Sequence, residues 1–277
     1  MKNIRRKQVV RRSGFTLVEL LVAMAIFAVL MLLSAQIFTA SQTMWSRSEQ
    51  KNSAFASGRT VMEFVASRIQ TIAYSDETPF LITGKESSTD GGYYKKVYLP
   101  TAMPMNRKKN GKDIDKVGVR FINFFLDDTT GSETFGHLKM HIYSDEGARD
   151  FKYLFPPYDS SSGFTSALSK IKGKCDNPGG DEDMNKISIV ENVTKLKFIP
   201  FNVSGSGRRE KIRRDVTSTH IVNPPYLLEV EISLLDTKEH FELWKNESNQ
   251  AKKDEIEQQY GYTFRRAILL GDRRKDK

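Results

Sequence analysis

The sequence predicts an α+β protein, in which one long N-terminal helix, first transmembrane and then amphipathic, packs on an antiparallel β-sheet domain. Three observations predict it. Residues 15–38 form an apolar run with a single charge, Glu19. The next stretch keeps a helical period, with no proline before Pro79. Beyond Pro79 the pattern changes to short strands separated by turn signals, and 226–235 alternates with a period of two.

The helix comes first. A run of 24 residues rises roughly 36 Å at ~1.5 Å per residue, enough for a hydrocarbon core of about 30 Å. Phe55, Gly58, Val61, Met62, Val65, Ile69 and Ile72 then recur at helical spacing and mark one apolar face. Arg47, Glu49, Lys51, Arg59, Glu63 and Arg68 fill much of the rest. One helix is therefore expected from residue 15 to about 75, ended by Ser75-Asp76-Glu77-Thr78-Pro79, with Gly58 a weak point of about 1 kcal/mol relative to alanine. The expected organisation is a leader at 1–14, a membrane part at 15–38, an amphipathic continuation at 39–76 and a β-rich globular domain at 77–277.

Within that domain, strands are expected at 93–99, 117–126, 137–143, 151–155, 187–190, 193–203, 226–235 and 262–270. Residues 106–116 read as a polar connection around the turn signal Asn110-Gly111, and Asp127–Gly131 reads as a turn. Residues 158–186 are a low-hydrophobicity excursion expected at the surface. Residues 205–223 read as a basic loop. In 226–235, Leu228, Val230, Ile232 and Leu234 are expected inward, with Glu229, Glu231 and Ser233 facing out, a half-buried strand. Residues 238–259 break the strand pattern and read as a helical insertion. Residues 272–277 are an exposed tail.

The densest signal lies at the start of the apolar run. Lys2, Arg5, Arg6, Lys7, Arg11 and Arg12 precede Gly14-Phe15-Thr16-Leu17-Val18-Glu19-Leu20-Leu21, and no acidic residue does. A carboxylate in a membrane segment costs on the order of 2.5–3.5 kcal/mol at the bilayer centre, so it needs a reason. Cleavage between Gly14 and Phe15 would supply one: the new amine at Phe15 lies one turn before Glu19, and that pair, within one subunit or between neighbours, gains strength in a low dielectric.

This segment resembles the processing signal of type IV prepilins and type II secretion pseudopilins. The resemblance implies a pilin-like fold, cleavage after Gly14 by a membrane prepilin peptidase, N-methylation of Phe15 and alignment of subunits through Glu19. The layout of the late strands, 189–198, 225–235 and 264–270, is similar to that of J-type minor pseudopilins. The resemblance therefore implies a minor subunit of a type II secretion pseudopilus, with other minor and major pseudopilins and an inner-membrane assembly platform as partners. A minor pilin of a type IV pilus or DNA-uptake system is the alternative. So is an anchored extracytoplasmic binding module that never polymerises. A secretory signal peptide cut near Ala40 and a plain signal anchor are the competing readings of the N-terminus; the former has an apolar core of ~7–15 residues, shorter than this one.

Charge sets the topology and narrows the partners. The chain carries 43 Lys and Arg against 34 Asp and Glu, for a net charge of +9. Six of the cations lie in the leader, so the remainder is close to balance, which argues against nucleic acid as a partner. The basic leader places the N-terminus in the cytoplasm and the domain outside it, as a single-pass inner-membrane protein. Cys175 is the single cysteine, so no intrachain disulfide can form; with the chain's length, this favours a minor component over a major pilin.

The sequence offers little chemistry. His137 and His141 share a face by spacing but lack the glutamate of a zinc protease motif, and read as solvent-facing strand histidines. Asp176, Asp181, Glu182 and Asp183 lack EF-hand spacing and read as a solvated acidic loop, with calcium binding left open. No nucleophile elbow, phosphate loop or dinucleotide fingerprint is present. No catalytic residue, metal site or cofactor is assigned. Arg208, Arg209, Lys211, Arg213 and Arg214 form the densest basic cluster outside the leader, a candidate partner-binding patch diluted by Glu210 and Asp215.

Overall fold

The computed structural model describes residues 16–72, 80–87, 91–109, 112–143, 186–204, 211–216 and 224–270, the side chains of 102–121, 143 and 186 excepted. The leader, the 75–79 stop signal, the expected strand 151–155, the 158–185 excursion with Cys175 and its acidic group, and the tail 272–277 lie outside these residues. The chain divides into two compact units, Met1–Gln50 and Lys51–Lys277.

A helix, α1, runs over Leu17–Gln70. In the first unit its apolar stretch is exposed throughout, long and apolar enough to cross a membrane. In the second unit it buries Gly58, Val61, Met62, Val65, Ala66 and Ile69, the three-and-four spacing of one face. The helix stops earlier than the proline signal implies. Thr101, fully buried on a strand, donates its hydroxyl to the Thr71 carbonyl at 3.3 Å and lies 3.0 Å from the Thr71 hydroxyl, while Ile72 makes a β-bridge to Thr101. The chain thus leaves the helix by joining the sheet.

Among the described residues nine strands form one sheet: β1 (Leu81–Glu86), β2 (Tyr93–Lys109), β3 (Lys112–Leu126), β4 (Leu138–Tyr143), β5 (Lys186–Val190), β6 (Val193–Ser204), β7 (Lys211–Arg214), β8 (Leu227–Leu235) and β9 (Gly261–Leu269). The main order is β5-β4-β3-β2-β6-β8-β9, with β1 paired to β2 and β7 to β6, all antiparallel. Two helices, α2 (Lys238–Asn246) and α3 (Gln250–Tyr260), occupy the expected insertion between β8 and β9. Thr237 caps α2 by accepting from the His240 N–H, and Asn249 caps α3 by accepting from the Ala251 N–H.

The stripe of α1 shares one core with Phe80, Ile82, Tyr94, Leu99, Phe124, Phe198 and the inward side of β8. Leu228, Val230, Ile232 and Leu234 are buried as their alternation predicts. The half-buried expectation is corrected on the other side, where Glu231 and Ser233 are buried too. Glu231 accepts from Lys197 Nζ and Arg265 Nε, each at 2.6 Å, and Ser233 pairs with Thr263 at 2.9 Å. Lys195 reaches Glu257 of α3 at 2.6 Å, tying the insertion to β6. Neighbouring strands thus supply polar partners to the two buried polar side chains of the outward face.

Other corrections follow from pairing. β2 and β3 continue into the polar 106–116 region on both sides of the Asn110-Gly111 turn signal, with Lys109 opposite Lys112. β1 had no sequence assignment; it is a short strand along β2. Phe55 belongs to the expected apolar face but is 52 % exposed, with its ring near the Tyr262 and Phe264 rings at centroid distances of 6.4 and 5.4 Å. Gly58 is more than a weak point: a Cβ there would lie 2.2 Å from the Phe264 ring. The missing side chain admits β9 to the helix.

That contact sets an expectation. Gly58→Ala should destabilise the full-length chain by about 1–3 kcal/mol through overpacking. In a Phe264→Ala background the same change should stabilise, by up to about 1 kcal/mol of helix propensity. Urea unfolding in detergent reads both; equal losses in the two backgrounds would exclude the ring as the cause.

Candidate functional site

Thr16 and Glu19 build the first candidate site. The Thr16 backbone N–H donates to Glu19 Oε2 at 2.9 Å, the Thr16 hydroxyl lies 3.0 Å from the same oxygen, and the Glu19 N–H donates back to the Thr16 hydroxyl at 3.3 Å. The Leu20 N–H closes the first turn on the Thr16 carbonyl at 3.2 Å. This is a reciprocal capping box, with Thr16 as N-cap and Glu19 three residues in. The carboxylate also lies at the positive end of the helix dipole, where a negative charge is stabilised. Both bonds from Thr16 to the carboxylate use Oε2, and the residue is exposed, so Oε1 can accept from a cation beside the helix start. Gly14 and Phe15 lie outside the described residues. Thr16 was missed in the sequence reading, although Thr-x-x-Glu is itself a capping signal.

Of the basic cluster, Lys211, Arg213 and Arg214 lie among the described residues, and there they do not share one face. Arg208 and Arg209 lie outside the described residues. The expected loop is corrected in part: Lys211–Arg214 is strand β7, paired with β6 from Phe201 to Ser204. Lys211 and Arg213 are exposed there, whereas Arg214 donates from Nη2 to the Gly92 carbonyl and is a structural tie. Consecutive residues of a strand face opposite ways, which splits a run of cations between faces.

The histidines also separate. His141 is buried, which corrects its solvent-facing assignment; its strand is covered on the side it faces. His137 precedes β4 and bonds to the Ser188 hydroxyl at 2.8 Å. Among the described residues no cluster of three His, Cys, Asp or Glu is placed to hold a metal. The acidic group at 176–183 lies outside them.

The 127–137 connection between β3 and β4 is a built structure. Asp127 accepts from Lys139 Nζ at 2.8 Å, from the Thr134 and Ser132 hydroxyls at 2.7 and 3.0 Å, and from the Thr129 N–H at 3.2 Å. Burial alone would raise its pKa, but the Lys139 ammonium, the two hydroxyls and the N–H together hold the carboxyl well below its ordinary value. The connection carries Gly136, whose φ of 79° and contact with the Phe241 ring leave no room for a side chain. Phe241 of α2 is buried there and stacks on Trp244. His240 stacks on Tyr260 of α3 at 3.7 Å and bonds to Asp236 at 2.6 Å. The insertion is therefore part of the folded domain, not an appendage.

Residues 10–35 match the family model described as the prokaryotic N-terminal methylation motif. No curated protein and no solved structure matches the chain. The motif, the long helix and the antiparallel domain support a type IV pilin-like, prepilin-processed protein. That class is structural rather than enzymatic, and the motif implies a prepilin peptidase and other pilins as partners in general terms. The apolar helix is consistent with single-pass membrane anchoring.

Two outcomes test this geometry. Thr16→Val should speed amide exchange at Leu17 to Leu20 in micelles, on the order of threefold to tenfold for one lost N-cap, and Thr16→Ser should not. Asp127→Asn should destabilise the chain at neutral pH by about 1.5–3 kcal/mol. Because the folded-state pKa is depressed, the Asp127 contribution is complete above the ordinary value of 3.8 and is lost as pH falls below it. The gap between wild type and Asp127→Asn in thermal unfolding should therefore narrow below about pH 4.

Proposed function

We propose that the chain is a minor pilin-like subunit of a type II secretion pseudopilus, most like the J-type minor pseudopilins. The observation that carries this reading is the methylation motif at 10–35, set at the head of a helix whose later turns are the core of an antiparallel domain. The basic leader holds the N-terminus in the cytoplasm, 15–38 crosses the inner membrane, and the globular domain lies on the far side. Cleavage between Gly14 and Phe15 frees an amine that is then methylated. Oε1 of Glu19 accepts from such an amine, its own or a neighbour's, and an assembling subunit is selected by the cost of leaving either charge unpaired in a low dielectric. Support for the J-type assignment comes from the late layout, where β6, β8 and β9 stand side by side, and support for a minor rather than a major subunit comes from the single cysteine.

Intact mass after co-expression with and without a prepilin peptidase tests the proposal. The expected product lacks residues 1–14 and carries one added methyl, both dependent on the peptidase. A full-length product, with the peptidase active on a control, would make the chain an anchored module that never polymerises. Cleavage near Ala40 would make it an exported protein without an anchor. If the mature chain binds DNA with an affinity that falls steeply with salt, and loses it on neutralising Lys211 and Arg213, the DNA-uptake alternative would replace type II secretion.

A further inference from the structure

The stretch after Phe38 looks polar in sequence, with Thr39, Ser41 and Thr43 in five residues. In the structure each of these hydroxyls is turned onto its own helix. Thr39 donates to the Ala35 and Gln36 carbonyls, at 3.1 and 2.9 Å, Ser41 to the Ile37 carbonyl at 2.8 Å, and Thr43 to the Thr39 carbonyl at 2.9 Å. Their donor hydrogens need no water, which is the arrangement that hydroxyl residues require where water is scarce. Met44 and Trp45 follow, 74 % and 76 % exposed, and the first charge after Glu19 is Arg47.

Distances along the helix give this order a meaning. From Thr16 to Trp45 the helix rises about 43 Å at ~1.5 Å per residue. A bilayer is about 30 Å thick in its hydrocarbon core and ~40–45 Å with both headgroup layers. The apolar run to Phe38 accounts for the core, and the back-bonded hydroxyls and Trp45 fall in the outer headgroup layer. An indole favours that depth, with its rings on the acyl side and its N–H toward water, and Arg47 then lies at the aqueous edge.

We infer that 39–45 is a lipid-contacting collar seated in the outer headgroup layer, with Trp45 as its interfacial anchor. The collar, not Phe38, sets the depth of the unassembled subunit, and the same registration puts Glu19 in the inner headgroup layer rather than in the hydrocarbon. The inference rests on the membrane-anchored reading of α1.

The test uses the full-length chain with Trp244→Phe, which leaves Trp45 as the single tryptophan. The protein is reconstituted in phosphatidylethanolamine and phosphatidylglycerol vesicles and floated on a density gradient. Lipids brominated near the headgroup or deep in the acyl chain then report depth, and iodide reports exposure to water. Blue-shifted Trp45 emission, quenched about twofold or more better by shallow than by deep bromines and weakly by iodide, is the expected result. A floated protein quenched by iodide and by neither lipid would place Trp45 beyond the membrane and end the collar while keeping the anchor. Strongest quenching by deep bromines would end it equally, by placing Trp45 in the hydrocarbon core. A chain that does not float would overturn the anchored reading itself. Trp45→Phe with Trp244 retained gives the background from the other indole.

Discussion

The contact on which the folded part of the chain depends is the apolar stripe of α1 between Gly58 and Ile69. Val65, Ala66 and Ile69 have no exposed surface, and the sheet's largest side chains, Tyr94, Phe124 and Phe198, share their cluster. Phe64 meets Phe124 edge-on at 6.4 Å from the margin of the same stripe. A sheet with one apolar face needs a cover. Here the cover is a helix that is fully apolar on one side only over these turns, which fixes both the rotation of the helix and the strands it can meet. At the end of the stripe, the Thr71–Thr101 hydrogen bonds and the Ile72 bridge convert helix into sheet directly.

The other face of the sheet is closed by different means. Glu231 sits between Lys197 and Arg265, Lys195 holds Glu257, and α2 drives Phe241 against Gly136. Only Glu231 is buried among these charges, and removing its cations would leave a buried carboxylate without compensation. The connection at 127–137 serves the same end: Asp127 gathers four donors, and the loop it shapes is the seat for α2. Polar residues that look exposed in the sequence thus become the means by which an insertion is fastened to strands.

How legible each part was follows from the kind of signal it leaves. The β8 alternation and the three-and-four spacing of α1 are periodic, and both were readable because periodicity survives whatever lies around it. β7 is a run of basic residues that pairs because β6 continues beside it, a tertiary cause with no local mark. The stretch between β2 and β3 carries an Asn-Gly turn signal, yet its flanks read as a connection because their residues are polar. His141 could not be told from a surface histidine, since burial of a strand face depends on what packs over it. At the candidate site, Glu19 stood out as the one charge in an apolar run, while Thr16 was passed over because a threonine there seems ordinary until its reciprocal bonds are drawn.

Those bonds bear on how a carboxylate is borne at the head of a long apolar helix. An isolated charge in apolar surroundings is expensive, and two circumstances lower the expense at Glu19. Its Oε2 accepts from two donors of Thr16, and its charge faces the positive end of the α1 dipole. Each also limits where the carboxylate can point. A side chain fixed by one oxygen presents the other in a defined direction, so a cation arriving at the start of the helix meets an acceptor already oriented, with little rotamer entropy left to lose. Thr16 thus both stabilises the Glu19 carboxylate and orients it, which is why Thr16 and Glu19 belong to one site rather than two.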